Sequence, residues 1–255
     1  MTAAEAVIGV AVGVVAGVAS GLLGVGGGIV MTPGIQVLMG APPIVALATP
    51  LPAILPTAAT GAWTYRRAGE LDPRAAWSMV VPGIVGAVAG AALTDVLNTH
   101  ILLVATAVIL AYQAVAILRG AERREGSLRE VHVSAYAATG FTAGFVSGLL
   151  GIGGGLIMVP VLVGGLGMPL KRALGTSLAA IVALVVPGTI VHASLGHIDW
   201  AIFAIVTVGS VPGARVGARI ALRAKTKVLA IVVGSFLLAV AIAYGVSEAV
   251  AVVRA

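Results

Sequence analysis

Apolar residues run through this chain in ten blocks, roughly 5–23, 28–40, 44–65, 75–97, 101–118, 132–150, 155–167, 173–195, 200–222 and 228–247. About 20 apolar residues span the hydrocarbon core of a bilayer, where the backbone must satisfy its own hydrogen bonds, so these blocks predict membrane helices. Two blocks are short. The 28–40 and 155–167 pieces each follow a triple glycine and hold about 13 residues, or ~20 Å of helix, too little to cross alone.

The short blocks belong to a repeat. Residues 20–54, SGLLGVGGGIVMTPGIQVLMGAPPIVALATPLPAI, return without a gap at 147–181 as SGLLGIGGGLIMVPVLVGGLGMPLKRALGTSLAAI, with 18 of 35 positions identical. Adding 127 to a residue number carries one half onto the other. Such symmetry in an apolar chain, with a glycine run interrupting a helix in each half, predicts a transporter built from two repeats. The expected fold is all-α. It is a polytopic integral membrane protein of two inverted repeats, each a glycine-broken re-entrant helical hairpin (5–40 and 132–167) followed by three transmembrane helices. Residues 1–118 form the first repeat, 119–130 a cytoplasmic linker and 131–255 the second repeat.

Composition sharpens the class. Hydrophobic residues make up 60% of the 255 and charged residues 9%, whereas soluble domains carry about 45–50% and about 25%. The longest polar stretch is RGAERREGSLRE at 119–130, which leaves almost no sequence for a soluble domain. The start, MTAAEAVIGVAVGVVAGVAS, lacks a basic n-region and is read as retained. With zero cysteines there is no disulfide, thiolate nucleophile or cysteine metal site.

The net charge of +6 does not imply nucleic acid, because the basic residues sit in loops between apolar blocks. Their placement tests the topology. If each broken pair enters and leaves on its own side as a re-entrant hairpin and the other six blocks cross fully, one face of the membrane collects Arg66, Arg67, Arg74, Arg119, Arg123, Arg124, Arg129, Lys171, Arg172, Arg215, Arg219, Arg223, Lys225 and Lys227, and only Arg254 lies opposite. If each broken pair crosses once, the repeats become parallel and the split is 8 to 7. The positive-inside rule therefore favours inverted repeats in the cytoplasmic (inner) membrane with both termini outside.

The sharpest chemical feature is Gly24-Val25-Gly26-Gly27-Gly28 with its twin Gly151-Ile152-Gly153-Gly154-Gly155. Each interior glycine costs about 1 kcal/mol in a helix, which suits a place where the helix stops. The half-helices that restart there turn bare N–H groups and the positive dipole end toward a small anion near the bilayer middle. A tight packed bend is the competing reading. A dinucleotide fold is excluded because no strand pattern precedes the glycines, and no Walker lysine follows them.

The paired SGLLG-[VI]-GGG-x-[IV]-M-x-P stretches, each followed by an apolar helix opening with Ala-Leu-x-Thr, resemble the sulfite exporter TauE/SafE family of membrane permeases over essentially the whole chain. That resemblance implies transport, often export, of small anions such as sulfite and organosulfonates. It does not follow from composition or spacing.

The expected substrate contacts are Gly26, Gly27, Gly28, Gly153, Gly154 and Gly155, assisted by hydroxyls of Thr49, its counterpart Thr176, and Ser177. Helix bridging or back-bonding is the alternative for the hydroxyls, and Ser20 and Ser147, just before the breaks, stand similarly. Gln36 faces Val163 in the repeat and would make the site asymmetric, or bond between helices. Pro33 and Pro160 are expected as hinges. Arg215 is a candidate counter-charge and His192 a candidate proton-coupling group, although Arg219 and Arg223 continue a basic stripe of the kind that snorkels to the surface. Asp72 and Asp199 read as N-caps. Glycines at four-residue spacing, Gly9 to Gly21, Gly140 to Gly148, Gly86/Gly90 and Gly213/Gly217, read as helix interfaces. The four histidines lack metal-binding spacing, so neither an enzyme nor a cofactor is expected. A passive anion channel using the same helix ends, and less so a membrane enzyme, are the alternatives. The partners expected are a small anionic solute, the lipid bilayer and a second copy in a homodimer.

Overall fold

The computed structural model describes residues 3–93, 108, 111, 112, 114, 115, 118, 131–150 and 154–254. Among them the regular structure is helical. The order is α1 (Ala3–Leu23), α2 (Gly28–Pro33), α3 (Pro43–Ala48), α4 (Pro50–Arg67), α5 (Pro73–Leu93), α6 (Val133–Leu150), α7 (Gly155–Pro160), α8 (Leu170–Ser194), α9 (Trp200–Arg223) and α10 (Thr226–Arg254). Among the described residues four spans, Ala3–Leu23, Ile44–Arg67, Leu170–Ser194 and Trp200–Arg223, are long and apolar enough to cross a membrane. The expected 101–118 segment lies mostly outside the described residues; Ala114 within it is helical and buried.

The short rods follow from their prolines. Pro33 and Pro160 end α2 and α7, and each rod continues as a π-helical turn, Gly34–Leu38 and Val161–Gly165. A proline has no N–H to give the preceding turn and its ring crowds the carbonyl four residues back, so the ladder widens there. The expected hinges therefore stand at the α-to-π switch of each half.

Close helix contacts are set by glycine. A methyl group placed on Gly13, Gly17 or Gly21 of α1 would overlap the backbone oxygens of Val206, Ser210 or Ala214 on α9. In the other half, Gly140 and Gly144 of α6 meet the carbonyls of Met79 and Gly83 on α5 in the same way. Residue numbers rise together along both pairs, so α1 runs parallel to α9 and α6 to α5. Small residues let these backbones touch in lipid, where packing drives helix association.

The two halves exchange partners. α1 of the first repeat packs on α9 of the second, and α6 of the second packs on α5 of the first. Two buried clusters are copies of each other under the 127-residue shift. Ala16, Met31, Ile35, Ala46, Ala53, Ile202 and Val206 form one, and Ala143, Met158, Leu162, Ala173, Ala180, Ala75 and Met79 are their equivalents in the other.

Between the halves lie α4 and α8, themselves repeat equivalents. The Asp72 N–H, just beyond α4, donates to Thr176 Oγ1 near the start of α8 at 3.0 Å. The Asp199 N–H, just beyond α8, donates to Thr49 Oγ1 at the start of α4 at 3.1 Å. The end of each helix thus meets the beginning of the other, and the two run in opposite directions. Asp199 Oδ1 also accepts from the Ala201 and Ile202 amides at 2.9 and 3.0 Å, and Asp72 Oδ1 from Ala75 at 3.1 Å, which makes both aspartates N-caps.

Candidate functional site: two facing helix breaks

The first break is built from Gly24, Gly26 and Gly27, whose φ angles of 70°, 83° and 87° lie in the left-handed region that only glycine occupies cheaply. The helix stops at Leu23 and restarts at Gly28, and amides in the first turn of the new helix have no acceptor within it. In the second half α7 restarts at Gly155 after Gly154. Gly153 lies outside the described residues.

The breaks meet. A methyl group on Gly155 would come within 2.8 Å of both Gly24 O and Val25 Cα, so the start of α7 rests on the first break. Ile54 and Ile181, equivalent residues of the two repeats, close round it: each would sit 3.2 Å from a methyl group on Gly26. Ser177 ties the second repeat to the first, its one hydroxyl proton lying between Gly24 O at 2.8 Å and Leu174 O at 2.9 Å. Gly26, Gly27, Gly28, Gly154, Gly155 and Ser177 are all buried. The arrangement offers helix N-terminal dipoles in a largely apolar surround, which favours a small negative group.

Other expected residues fall elsewhere. Thr49 and Thr176 are fully buried but face the opposite repeat's Asp199 and Asp72, where their oxygens act as acceptors. Gln36 is exposed on the π-turn. Arg215 is exposed, as is Arg219 one turn on, on the side of α9 away from its buried glycine face. His192 is half-buried, its Nδ1 3.2 Å from His197 Nδ1. The same two places in the first repeat hold Tyr65 and Glu70, and both loops close with the same backbone bond, Glu70 N to Tyr65 O and His197 N to His192 O. Tyr65 is fully buried and donates through its hydroxyl to Gly21 O at 2.9 Å, clamping α4 to α1. Among the described residues no three His, Cys, Asp or Glu side chains converge as metal ligands.

One buried polar pair lies outside the residues expected from the sequence. Thr57 Oγ1 donates to Ala53 O at 2.6 Å and lies 2.6 Å from Ser210 Oγ, linking α4 to α9. The signal was present in the repeat itself, since the equivalent positions are Leu184 and Gly83.

The profile of the family described as "Sulfite exporter TauE/SafE" matches residues 9–244. The chain belongs to this family. A "Probable membrane transporter protein" of Xylella fastidiosa (strain 9a5c) is 30% identical over 251 residues, covering 95% of each chain. The "Probable membrane transporter protein YunE" of Bacillus subtilis (strain 168) is 27% identical over 251 residues, 89% of this chain and 92% of its own. No solved structure matches. The protein is thus a membrane transporter of the TauE/SafE family, and its long apolar helices are those of a membrane protein.

Proposed function

We propose that this protein is a secondary transporter that exports small sulfur-containing oxyanions, sulfite or organosulfonates, across the inner membrane by alternating access. The observation that carries the reading is the abutment of Gly155 on Gly24 and Val25, which sets the start of α7 against the first glycine break in one buried place. The anion binds beside this junction, held by the restarting helix ends at Gly26 to Gly28 and Gly153 to Gly155, with Ser177 nearby and Thr49 and Thr176 locking the helices that frame it. The repeats are inverted across the bilayer with both termini outside. The antiparallel course of α4 and α8 and the one-sided basic residues support this arrangement. Pro33 and Pro160 are the hinges, and the His192–His197 pair is the proton-coupling point, with Arg215 left to the membrane surface.

The test is uptake and counterflow in proteoliposomes with sulfite, thiosulfate, sulfonates and carboxylates, repeated with Gly27→Leu and Gly154→Leu. Saturable, trans-stimulated anion exchange lost in both variants supports the reading. Exchange unchanged in both removes the proposed site, and flux without saturation or counterflow makes the protein a channel.

A further inference from the structure

The two breaks are not chemically alike, and the difference begins one helical turn beyond the twin apolar clusters. In the first cluster Ala16 of α1, Ala53 of α4 and Val206 of α9 pack together. These three helices run in one direction, as the contacts of Gly17 with Ser210, of Tyr65 with Gly21 and of Thr57 with Ser210 require. Four residues on in each lie Ser20, Thr57 and Ser210, one turn along the same face. All three are fully buried.

Two of these three hydroxyls are paired and one is not. Thr57 spends its proton on Ala53 O, so Ser210 is the donor in the 2.6 Å contact between the two hydroxyls. Ser20 Oγ has no partner among the described residues. It stands beside the break, since a methyl group on Gly27 would lie 3.4 Å from Ser20 Cβ. A buried hydroxyl with a proton to give is costly without an acceptor, and native structures keep such groups where something else supplies one.

The second half lacks this layer. Ala143, Ala180 and Met79 repeat the apolar cluster, but the next turn holds Ser147, Leu184 and Gly83. Ser147 is only half-buried. In place of the threonine–serine hydrogen bond, a methyl group on Gly83 would press to 2.6 Å from Leu184 Cδ2.

We propose that Ser20, Thr57 and Ser210 form a hydroxyl layer that receives the oxygens of the transported anion, while Leu184 in the equivalent place faces its organic substituent. The inference rests on the transport reading above and narrows it. The preferred solute has one oxyanion head and one apolar end, a short alkyl sulfonate or carboxylate, ahead of a small inorganic dianion with no apolar side. Hydroxyl protons are neutral donors that reorient on arrival of the ligand: Ser20 gives its free proton, and Thr57 exchanges Ala53 O for a substrate oxygen. A site that hydrogen-bonds a substrate oxygen rejects analogues that cannot complete the bonds far more strongly than an apolar wall rejects a missing methyl.

The test is counterflow in proteoliposomes with propane-1-sulfonate and sulfite as probes. Wild type is expected to show at least a tenfold lower KM for propane-1-sulfonate. Ser20→Ala and Thr57→Val each raise that KM about tenfold, and Thr142→Val, an outer-face threonine, leaves it unchanged. Ser20→Ala is decisive, because it removes no hydrogen bond within the protein and a purely structural serine would tolerate it. Thr57→Ser keeps the hydroxyl and is expected to keep the KM if Thr57→Val fails to fold. Leu184→Thr with Gly83→Ser is expected to shift preference toward sulfite. An active wild type with the Ser20→Ala KM within twofold overturns this inference alone, as does a shift in sodium activation with the anion KM unmoved, which would make the layer a cation site. A wild type that moves no anion removes the transport reading and this inference with it.

Discussion

Thr176 accepts the backbone N–H of Asp72 across the boundary between the two repeats, at 3.0 Å and with no exposure of the threonine. The equivalent bond from Asp199 to Thr49 is 3.1 Å. Each repeat therefore supplies the acceptor that fixes the start of a long helix in the other, and the halves cannot separate or slide without breaking both bonds.

Thr176→Val keeps the side-chain shape and removes the acceptor, leaving the Asp72 amide unpaired. A loss of about 1–3 kcal/mol is expected, read as a lower melting temperature in detergent. Thr176→Ser should restore most of it. Thr49→Val is expected to behave alike, and the double variant to lose more than either.

Tyr65→Phe removes the single hydroxyl that joins α4 to Gly21 O at 2.9 Å while keeping the ring. The expected cost is again about 1–3 kcal/mol, because the carbonyl is left in a buried, water-poor place. Protease accessibility of α1 should rise in parallel, which distinguishes loss of this clamp from a general weakening.

Glycines should differ in tolerance according to what surrounds them. Gly144→Ala would drive a methyl group into the Gly83 carbonyl. Loss of monodisperse protein on size exclusion is expected, beyond the ~1–3 kcal/mol of ordinary overpacking. Gly40→Ala meets nothing within 4 Å and pays only for its φ of 67°, about 1–2 kcal/mol, so it should still purify as a folded protein.

The absence of cysteine makes the topology directly testable. Single cysteines at Ala68 and Lys171 are expected to react with a membrane-impermeant maleimide from the same side, and one at Leu195 from the other. Opposite labelling of Ala68 and Lys171 would replace the inverted arrangement with a parallel one.

Much of the architecture was legible in the chain. The shift of 127 places Gly40 on Gly167 and Gly69 on Gly196, and all four adopt positive φ at helix ends. The breaks at Gly24 to Gly27 and the proline-ended rods are local events, dictated by backbone freedom and a missing N–H, so nearby sequence suffices to find them. Apolar block length did the same for the long helices.

What the tertiary structure alone decided is which polar atoms meet. Thr49 and Thr176 read as donors toward a solute, yet each sits under an amide of the opposite repeat, 150 and 104 residues away in the chain. Thr57 and Ser210, 153 residues apart, make one buried hydrogen bond where the other half packs Leu184 against Gly83. A repeat in sequence determines equivalent backbones because helix and break are short-range choices. The chemistry between those backbones depends on side chains from distant elements, and only their packing brings them within hydrogen-bonding distance.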